Sequence, residues 1–434
     1  MKKWIKYKIE NLGKCLPFIA FIFIVLISSC AQKASQEKET LSVSAESILG
    51  NPQYQAISYG GYRHDTRDKQ PTVEELKEDM RILSAMGIKL IRTYNVHLAH
   101  ASNVLKAIQA LKAEESDFEM YVMLGAWIDC KNAWTDKPPI HSEESERNEV
   151  EIAKTVSLAN EYPDIVKIIA VGNEAMVKWA AAYYVEPGIV LKWVNHLQEL
   201  KNKGKLPKDL WITSSDNFAS WGGGAEEYHV PELDSLIRAV DYISMHTYPM
   251  HDTHYNPEFW QSGSYSEDKI KNDLEQIDDA VLRAKSYAQS QYNSVKDYIR
   301  SIGVDKPIHI GETGWASSSD GHYGPEGSKA CDEYKQSAYY KHMREWTKKD
   351  GISCFFFEAF DEQWKDANNS KGSENHFGLF TIDGKAKYAI WDLVDEGVFK
   401  GLSRGGNTIS KTFSGQKAKV METVLNPAWV KIKY

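Results

Sequence analysis

Two glutamates in this chain of 434 residues follow short runs of apolar, mostly β-branched residues. Glu312 comes just after the run 308–310, and Glu174 comes just after the run 165–171. Such runs form strands that are buried on both faces in α/β proteins, so few structural reasons place a charge at their ends. Two strands built alike would bring both carboxylates to one rim, and paired carboxylates are what glycosidic bond cleavage requires. The alternative is a solvated loop charge or an ion pair at that rim.

Alternating strand and helix patterns surround these two glutamates and would position them. Apolar runs predict strands at 56–59, 89–94, 120–126, 165–171, 210–214, 242–245, 308–310 and 352–357. Apolar residues at steps of three and four predict helices between Thr72 and Gly87 and at about 99–112, 142–162, 187–203, 233–240, 269–300 and 332–349. The first helix carries a capping box, Thr72 with Glu75.

Eight strand-and-helix units in series favour an α/β fold of the (β/α)8 TIM-barrel type over an open sheet. We predict a single catalytic domain over residues 51–400, with a C-terminal extension at 401–434 that is compatible with a short appended β element and has no assigned role. In such barrels the chemistry lies at the carboxyl ends of the strands. Both glutamates are predicted to lie there.

The N-terminal residues have the pattern of a targeting segment. Five lysines precede the apolar run 16–27, which is short for a membrane span, and Cys30 follows the sequence LISS. This pattern predicts a bacterial lipoprotein signal over residues 1–29, lipidation of Cys30, a flexible tether at 30–50 and an exported protein anchored in the cell envelope, with the outer membrane or cell surface favoured. The alternatives are an uncleaved anchor or an ordinary secretory signal.

Composition and charge narrow the range of partners. Removing residues 1–29 takes away five lysines and one glutamate, which changes the formal net charge from −8 to about −12. An acidic surface argues against nucleic acid and acidic polymers and leaves neutral substrates open. Cys130, Cys331 and Cys354 have no metal-ligand spacing and require no disulfide. We expect a monomer without a cofactor or metal.

Five short motifs, in order along the chain, resemble family 17 of the glycoside hydrolases, the β-1,3-glucanases. The matching stretches are IRTY at 91–94, VGNE at 171–174, TYP at 247–249, ETGW at 312–315, and FDEQWK at 360–365 followed by HFGLF at 376–380. The resemblance covers roughly residues 56–393, the whole predicted barrel. It departs at Ala316, where the family usually has proline, and this difference affects no catalytic atom.

The resemblance implies a retaining mechanism with roles for four residues. Glu174 matches the general acid/base and Glu312 matches the nucleophile. Retention requires one protonated and one ionised carboxyl roughly 5 Å apart. Asn173 would hydrogen-bond the sugar 2-OH, and Tyr248 would orient or hydrogen-bond Glu312. The implied substrate is a laminarin-type β-glucan, cut internally.

Further charged and aromatic residues are predicted to line the cleft. The loop after strand eight contributes Glu362, Lys365 and Glu374, although a structural salt-bridge network explains these charges equally well. Tyr94 and Arg92 end strand two. Tryptophans in strand-end loops are candidate sugar platforms, with Trp315 and Trp364 favoured over Trp127, Trp134, Trp179 and Trp221. A metal site built from His246, His251 and His254 is a weaker alternative, because their spacing fits no common zinc motif.

Two other functions use the same residues or the same scaffold. An enzyme whose acceptor sites hold sugar better than they admit water would transfer glucan instead of hydrolysing it. A non-catalytic surface lipoprotein that binds glucan would need no carboxylates at the two strand ends.

Overall fold

The protein, a computed structural model, is described over residues 43–261 and 273–427. Eight parallel strands form a closed barrel in which each strand pairs with its neighbours in sequence and the eighth pairs with the first. The strands are β1 (Gln55–Ser58), β2 (Ile88–Arg92), β3 (Tyr121–Ala126), β4 (Val166–Asn173), β5 (Trp211–Asn217), β6 (Ile243–His246), β7 (Ile308–Gly314) and β8 (Cys354–Phe357). The predicted (β/α)8 fold is confirmed.

Helices cover the outside of the barrel. They are α1 (Val73–Ala85), α2 (Ala99–Glu114), α3 (Arg147–Glu161), α4 (Pro187–Asn202), α5 (Pro231–Ala239), α6 (Asp273–Ser301), α7 (Glu333–Asp350) and the short α8 (Trp391–Asp395). The predicted capping box is present, since Thr72 and Glu75 each accept a hydrogen bond from the other's backbone N–H. At the end of α7, Gly351 adopts a left-handed conformation with φ of 64°.

The segment before α3 differs from the sequence prediction. Ile140–Glu144 form a short antiparallel pair with Cys130–Lys131, and the helix begins only at Arg147. Glu144 accepts a hydrogen bond from the Trp193 indole at 2.7 Å, which ties this strand to α4. The glutamates of this segment favour a helix locally, but these tertiary contacts determine the strand.

The folded unit begins at Ser44, earlier than the predicted end of the tether at residue 50. Ser44 caps a short helix, Ala45–Ile48, and Ala45 donates a backbone hydrogen bond to the Asp209 carbonyl at 3.1 Å. Ala45 and Ile48 are buried. The predicted signal peptide and Cys30 lie outside the described residues. Among the residues described, every helix is too short or too polar to cross a bilayer.

The C-terminal residues pack against the helices of the barrel through a buried ion pair and a hydrogen bond. A two-stranded element, Ser403–Arg404 with Asn407–Thr408, inserts Arg404 beside Asp79 of α1, with Nε 2.9 Å from Oδ1. Both side chains are buried. The helix Lys417–Glu422 follows, and the Leu425 N–H donates to Asp332 at 3.1 Å. The extension therefore completes the surface behind α1 and α7.

Candidate active site

Glu174 and Glu312 converge at the carboxyl ends of β4 and β7. A carboxylate oxygen of each lies within 4.8 Å of the other and of a His246 ring nitrogen. This spacing agrees with the roughly 5 Å of retaining glycosidases and is well below the roughly 6.5–9.5 Å that inversion requires. Both side chains are largely buried, with 14% and 6% of their surfaces exposed. The two strand-end glutamates therefore form one site.

The backbone before Glu174 turns sharply to aim its side chain into the barrel mouth. Gly172 has φ of 84°, and Glu174 itself has φ of 46°, an unfavourable value for a residue with a side chain. Two contacts from β5 hold this turn. The Glu174 N–H donates to the Ser215 carbonyl at 3.0 Å, and the Met176 N–H donates to Asp216 at 2.7 Å.

Glu312 lies on β7, where the preceding residue has to be glycine. A Cβ at Gly311 would lie 2.1 Å from the Ser244 hydroxyl oxygen of the neighbouring strand. The Gly311 carbonyl accepts a hydrogen bond from Arg92 at 2.8 Å, and the same guanidinium lies 3.6 Å from Glu312. The guanidinium thus places a buried positive charge beside the Glu312 carboxylate.

Tyr94, at the end of β2, donates a hydrogen bond from its hydroxyl to Glu312. Tyr248 is expected from the sequence to orient or hydrogen-bond Glu312, and the hydrogen bond that the structure shows comes from Tyr94. Tyr248 instead forms part of the cleft wall, with its ring stacked on His251 at 5.1 Å between centroids. Tyr248 directly precedes a short helix, Pro249–Tyr255. Burial and the nearby charge of Glu312 hold the pKa of its hydroxyl well above the ordinary value, so Tyr248 faces the same site.

Asn173 lies beside Glu174 and lines the cleft, as predicted. Its Oδ1 accepts a hydrogen bond from Arg92 at 2.6 Å. Arg92, only 1% exposed, therefore connects β2 with β4 and β7 beneath the carboxylate pair. This fixes the orientation of the Asn173 amide relative to Glu174.

His246 is the residue of this site whose place the sequence reasoning missed. Its Nδ1 lies 3.2 Å from Glu174 and 3.2 Å from Glu312. Its position at the end of β6 could have revealed it. Ser244, two residues earlier, faces inward, and side chains two residues apart on a strand face the same side. The ring is completely buried.

The proposed metal cluster of histidines is not formed, since its three members diverge. His251 lies 3.7 Å from Glu374, and His254 stacks on His322 at 4.0 Å. Within the described residues, one group could offer three metal ligands, namely His246 with the two glutamates. There the Arg92 guanidinium, 3.1 Å from His246 Nε2, already supplies a positive charge.

Burial shifts the pKa values of the central groups in different directions. Burial raises the pKa of Glu174 to about 7, although the charges of His251 and Arg92 oppose this. Burial lowers the pKa of His246 to about 3 and keeps the imidazole neutral. Burial likewise raises the pKa of Asp216 to about 7. The site therefore contains a carboxyl that is protonated near neutral pH, which general acid catalysis requires.

The loop after β8 holds the predicted charged set around a residue not singled out before. Lys365 lies 3.0 Å from both carboxylate oxygens of Glu358 and 3.7 Å from Glu362. Glu362 also accepts from the Trp364 indole at 3.0 Å. Burial acts to raise the pKa of Glu374, but the hydrogen bond and the charge of His251 outweigh burial. The pKa of Glu374 therefore lies below its ordinary value. Glu358 directly follows β8, so the strand-end rule that found Glu312 would also have found it.

The carboxylates lie in a cleft of about 1540 Å³, larger than the roughly 300–1,000 Å³ of typical small-ligand pockets. The tryptophans that line it are Trp127, Trp134, Trp179 and Trp364. Trp134 is 58% exposed and stacks on Tyr183 at 5.1 Å. These rings present apolar faces of the kind that pack on sugars.

Two of the predicted sugar platforms are core residues instead. Trp315 and Trp221 have no exposed surface. The Trp315 indole donates to the Ala330 carbonyl at 2.8 Å, and its ring packs against Tyr339 of α7. Trp315 directly follows the last residue of β7, and these contacts hold its ring on the side of the helices. The prediction for Trp315 was wrong.

The site and the barrel define a retaining-type glycosidase, and comparison with known proteins agrees. The profile of the BtgE/BtgC glycoside hydrolase domain matches residues 56–378. Because the match covers most of the chain, the protein belongs to this family of glycoside hydrolases. The resemblance to β-1,3-glucanases predicted from the sequence is thereby confirmed.

Three relatives show the extent of the similarity. The crystal structure of an endo-laminarinase from Formosa Hel1_33_131 has a TM-score of 0.87 and 64% identity, over 90% of this chain and 100% of that one. A glucan 1,3-beta-glucosidase of Arthroderma benhamiae is 27% identical over 76% of this chain and 88% of its own. A family 17 beta-1,3-glucanosyltransferase from Rhizomucor miehei, at 19% identity and a TM-score of 0.53 over 78% of this chain and 96% of its own, shares the fold.

Proposed function

We propose that this glycoside hydrolase cleaves internal β-1,3 bonds of laminarin-type glucans with retention of anomeric configuration. The observation that carries the proposal is the convergence of Glu174 and Glu312, with carboxylate oxygens within 4.8 Å, in a cleft of about 1540 Å³. In this mechanism Glu312 is the nucleophile and Glu174 is the general acid/base.

In the first half-reaction, a Glu312 oxygen attacks C1 of the sugar while the bond from C1 to the leaving oxygen breaks. The proton of Glu174 passes to that oxygen. The contacts of each residue support this division. Arg92 and the Tyr94 hydroxyl stabilise negative charge on Glu312, whereas burial keeps Glu174 protonated up to about pH 7.

In the second half-reaction, Glu174 is a carboxylate and accepts a proton from water. The water oxygen bonds to C1, and the ester bond to Glu312 breaks, which restores both residues. Asn173 is proposed to bond the 2-OH of the sugar, since Arg92 holds its amide beside Glu174.

The cleft supports internal cleavage of a neutral chain. Its lining comes from loops after most of the strands, with Tyr62 following β1, Trp134 following β3 and Tyr255 following β6. A site that extends across the barrel mouth binds several sugars of one chain on either side of the cut. The 64% identity to a protein described as an endo-laminarinase supports the β-1,3 linkage.

Product analysis tests this proposal. The purified protein is incubated with reduced laminarin, a mixed-linkage glucan and a β-1,6-glucan, and products are followed by chromatography and proton NMR. We expect a series of short oligosaccharides from laminarin, with the β-anomer appearing first. Release of glucose alone would contradict internal cleavage, and initial α-anomer would contradict retention. Products longer than the substrate would establish transfer, the alternative use of this site.

We also propose that a lipid on Cys30 anchors the enzyme to the cell envelope, on the basis of the sequence that precedes this cysteine. Labelled palmitate should enter the wild-type protein and not the Cys30→Ser variant. Labelling of both would contradict the proposal.

A further inference from the structure

His246 contacts both carboxylates of the proposed mechanism, and no role in that mechanism accounts for it. Its Nδ1 lies at the same distance, 3.2 Å, from an oxygen of Glu174 and from an oxygen of Glu312, and of these two contacts the one with Glu174 has the geometry of a hydrogen bond. We propose that His246 is a positioning residue whose single N–H donor serves Glu312 before the glycosyl-enzyme forms and Glu174 afterwards. This inference rests on the proposed function.

The neighbours of the ring fix its tautomer. A guanidinium has donors only, and Arg92 Nη1 lies 3.1 Å from His246 Nε2, so Nε2 is the acceptor. The Ser215 hydroxyl lies 2.8 Å from the same nitrogen and can donate to it while accepting from Ser244. The ring hydrogen is therefore on Nδ1, between the two glutamates. A second hydrogen on Nε2 would face the guanidinium, so the ring stays neutral.

The reaction moves one negative charge across this N–H group. Before attack, Glu312 is ionised and Glu174 is protonated. When the bond from Glu312 to C1 forms, the leaving oxygen takes the Glu174 proton, so Glu312 becomes a neutral ester and Glu174 becomes a carboxylate. Hydrogen bonds to charged oxygens are roughly twice as strong as those to neutral ones. The N–H therefore shifts from Glu312 to Glu174 without any proton leaving the ring.

Because Nδ1 is equally distant from the two carboxylates, little movement is needed for its hydrogen bond to change from one to the other. The imidazole is completely buried, and it is fixed from below by Arg92 and Ser215. Reorientation of the hydrogen bond then needs only small movements of the two carboxylates. His246 thus stabilises the charged partner in each half-reaction while taking no part in proton transfer.

The charged and titratable groups that face His246 are Arg92 from β2, Glu174 from β4 and Glu312 from β7. Loss of the N–H removes stabilisation of both carboxylates, and arginine remains charged throughout. Both pKa values that limit activity should then rise, so the whole bell-shaped pH profile should move to higher pH.

Two variants test the proposal. His246→Phe keeps a flat ring without the N–H, and His246→Asn keeps an amide N–H. We expect His246→Phe to slow both glycosylation and deglycosylation by about 10- to 100-fold, the effect of losing one hydrogen bond to a charged group, and to move both limbs of the pH profile upward. His246→Asn should recover part of the rate and return the limbs toward their wild-type positions. A folded His246→Phe enzyme with slower turnover and unmoved limbs would overturn the proposal.

A measurement on the wild-type protein does not depend on the folding of any variant. Nitrogen-15 NMR of labelled histidine should show a hydrogen on His246 Nδ1 and none on Nε2, both in the free enzyme and after trapping with a 2-fluoro glycoside. The opposite tautomer would overturn the proposal. Mass spectrometry of the trapped enzyme tests the proposed retaining mechanism separately from the role of His246. Absence of a covalent adduct contradicts the proposed function itself, whereas an adduct together with the Nε2–H tautomer contradicts only the role of His246.

Discussion

Asp216 accepts a hydrogen bond from the backbone N–H of Met176 at 2.7 Å, two residues beyond Glu174. The end of β5 thereby fixes the turn that carries the proposed acid/base. Because Glu174 has φ of 46°, its turn is expected to relax when this contact is lost. Asp216→Ala should lower kcat on laminarin by about 10- to 100-fold, in line with one unpaired buried N–H group.

The leaving group distinguishes a misplaced acid from a general defect. A dinitrophenyl glycoside needs no protonation of its leaving group, so Asp216→Ala should cleave it at nearly the wild-type rate. Asp216→Asn keeps an acceptor oxygen and should be close to wild type on both substrates. Equal losses on laminarin and on the dinitrophenyl glycoside would show that Asp216 does not act through Glu174.

Substitution of the two glutamates should have different chemical consequences. Glu312→Ala should reduce turnover below detection while calorimetry still shows laminarin oligosaccharide binding. Glu174→Ala should lose about 10²- to 10⁴-fold on laminarin, the usual contribution of general acid–base catalysis. Azide should rescue both variants and give an α-glycosyl azide from Glu312→Ala and a β-glycosyl azide from Glu174→Ala. Interchange of these two products would reverse the assigned roles.

The pH dependence of kcat/KM should show the raised pKa of Glu174, which is about 7 because the group is buried. The acid must be protonated in the first half-reaction, so activity should be retained below pH 7 and fall tenfold per unit well above it. Since the charge of His251 lowers this pKa, His251→Asn should move the fall in activity to higher pH. A fall centred near pH 4.5 in the wild type would contradict the assignment.

Trp134 should contribute to binding of long chains, because its exposed ring stacks on Tyr183 at the edge of the cleft. Trp134→Ala should raise KM for laminarin by roughly 2- to 10-fold, the range of one aromatic contact, with less effect on the shortest cleavable oligosaccharide. Leu282→Ala is a matched control, since Leu282 is an exposed apolar residue of α6 that does not line the cleft. An equal rise in KM for all chain lengths would remove the platform role.

Much of this architecture could be predicted from local patterns. The apolar runs located every barrel strand, and two strand-end glutamates proved to be neighbours because parallel strands in a barrel end at one rim. The capping box at Thr72 was visible for the same reason, since both of its partners lie within one helical turn.

The remaining features depend on contacts between residues that are distant in sequence. Arg92 and His246 are 154 residues apart and meet only when the barrel closes. The hydrogen-bond donor to Glu312 is Tyr94, which is 218 residues away from it in the sequence. Trp315 was misplaced for a different reason. Proximity to a motif suggested a position in the cleft, whereas Trp315 lies just past the end of β7 with its ring packed against Tyr339 of α7.

The buried pairing of Arg404 with Asp79 determines where the chain can be shortened. Asp79 also accepts hydrogen bonds from Tyr59 at 2.9 Å and from Arg63 at 2.9 Å, and Tyr59 directly precedes the loop of Gly60 and Tyr62 that borders the cleft. An expression plasmid that stops at residue 400 would delete one of the two arginines that neutralise this aspartate. The two-stranded element that carries Arg404 therefore stabilises the catalytic domain, and a minimal recombinant enzyme should retain it.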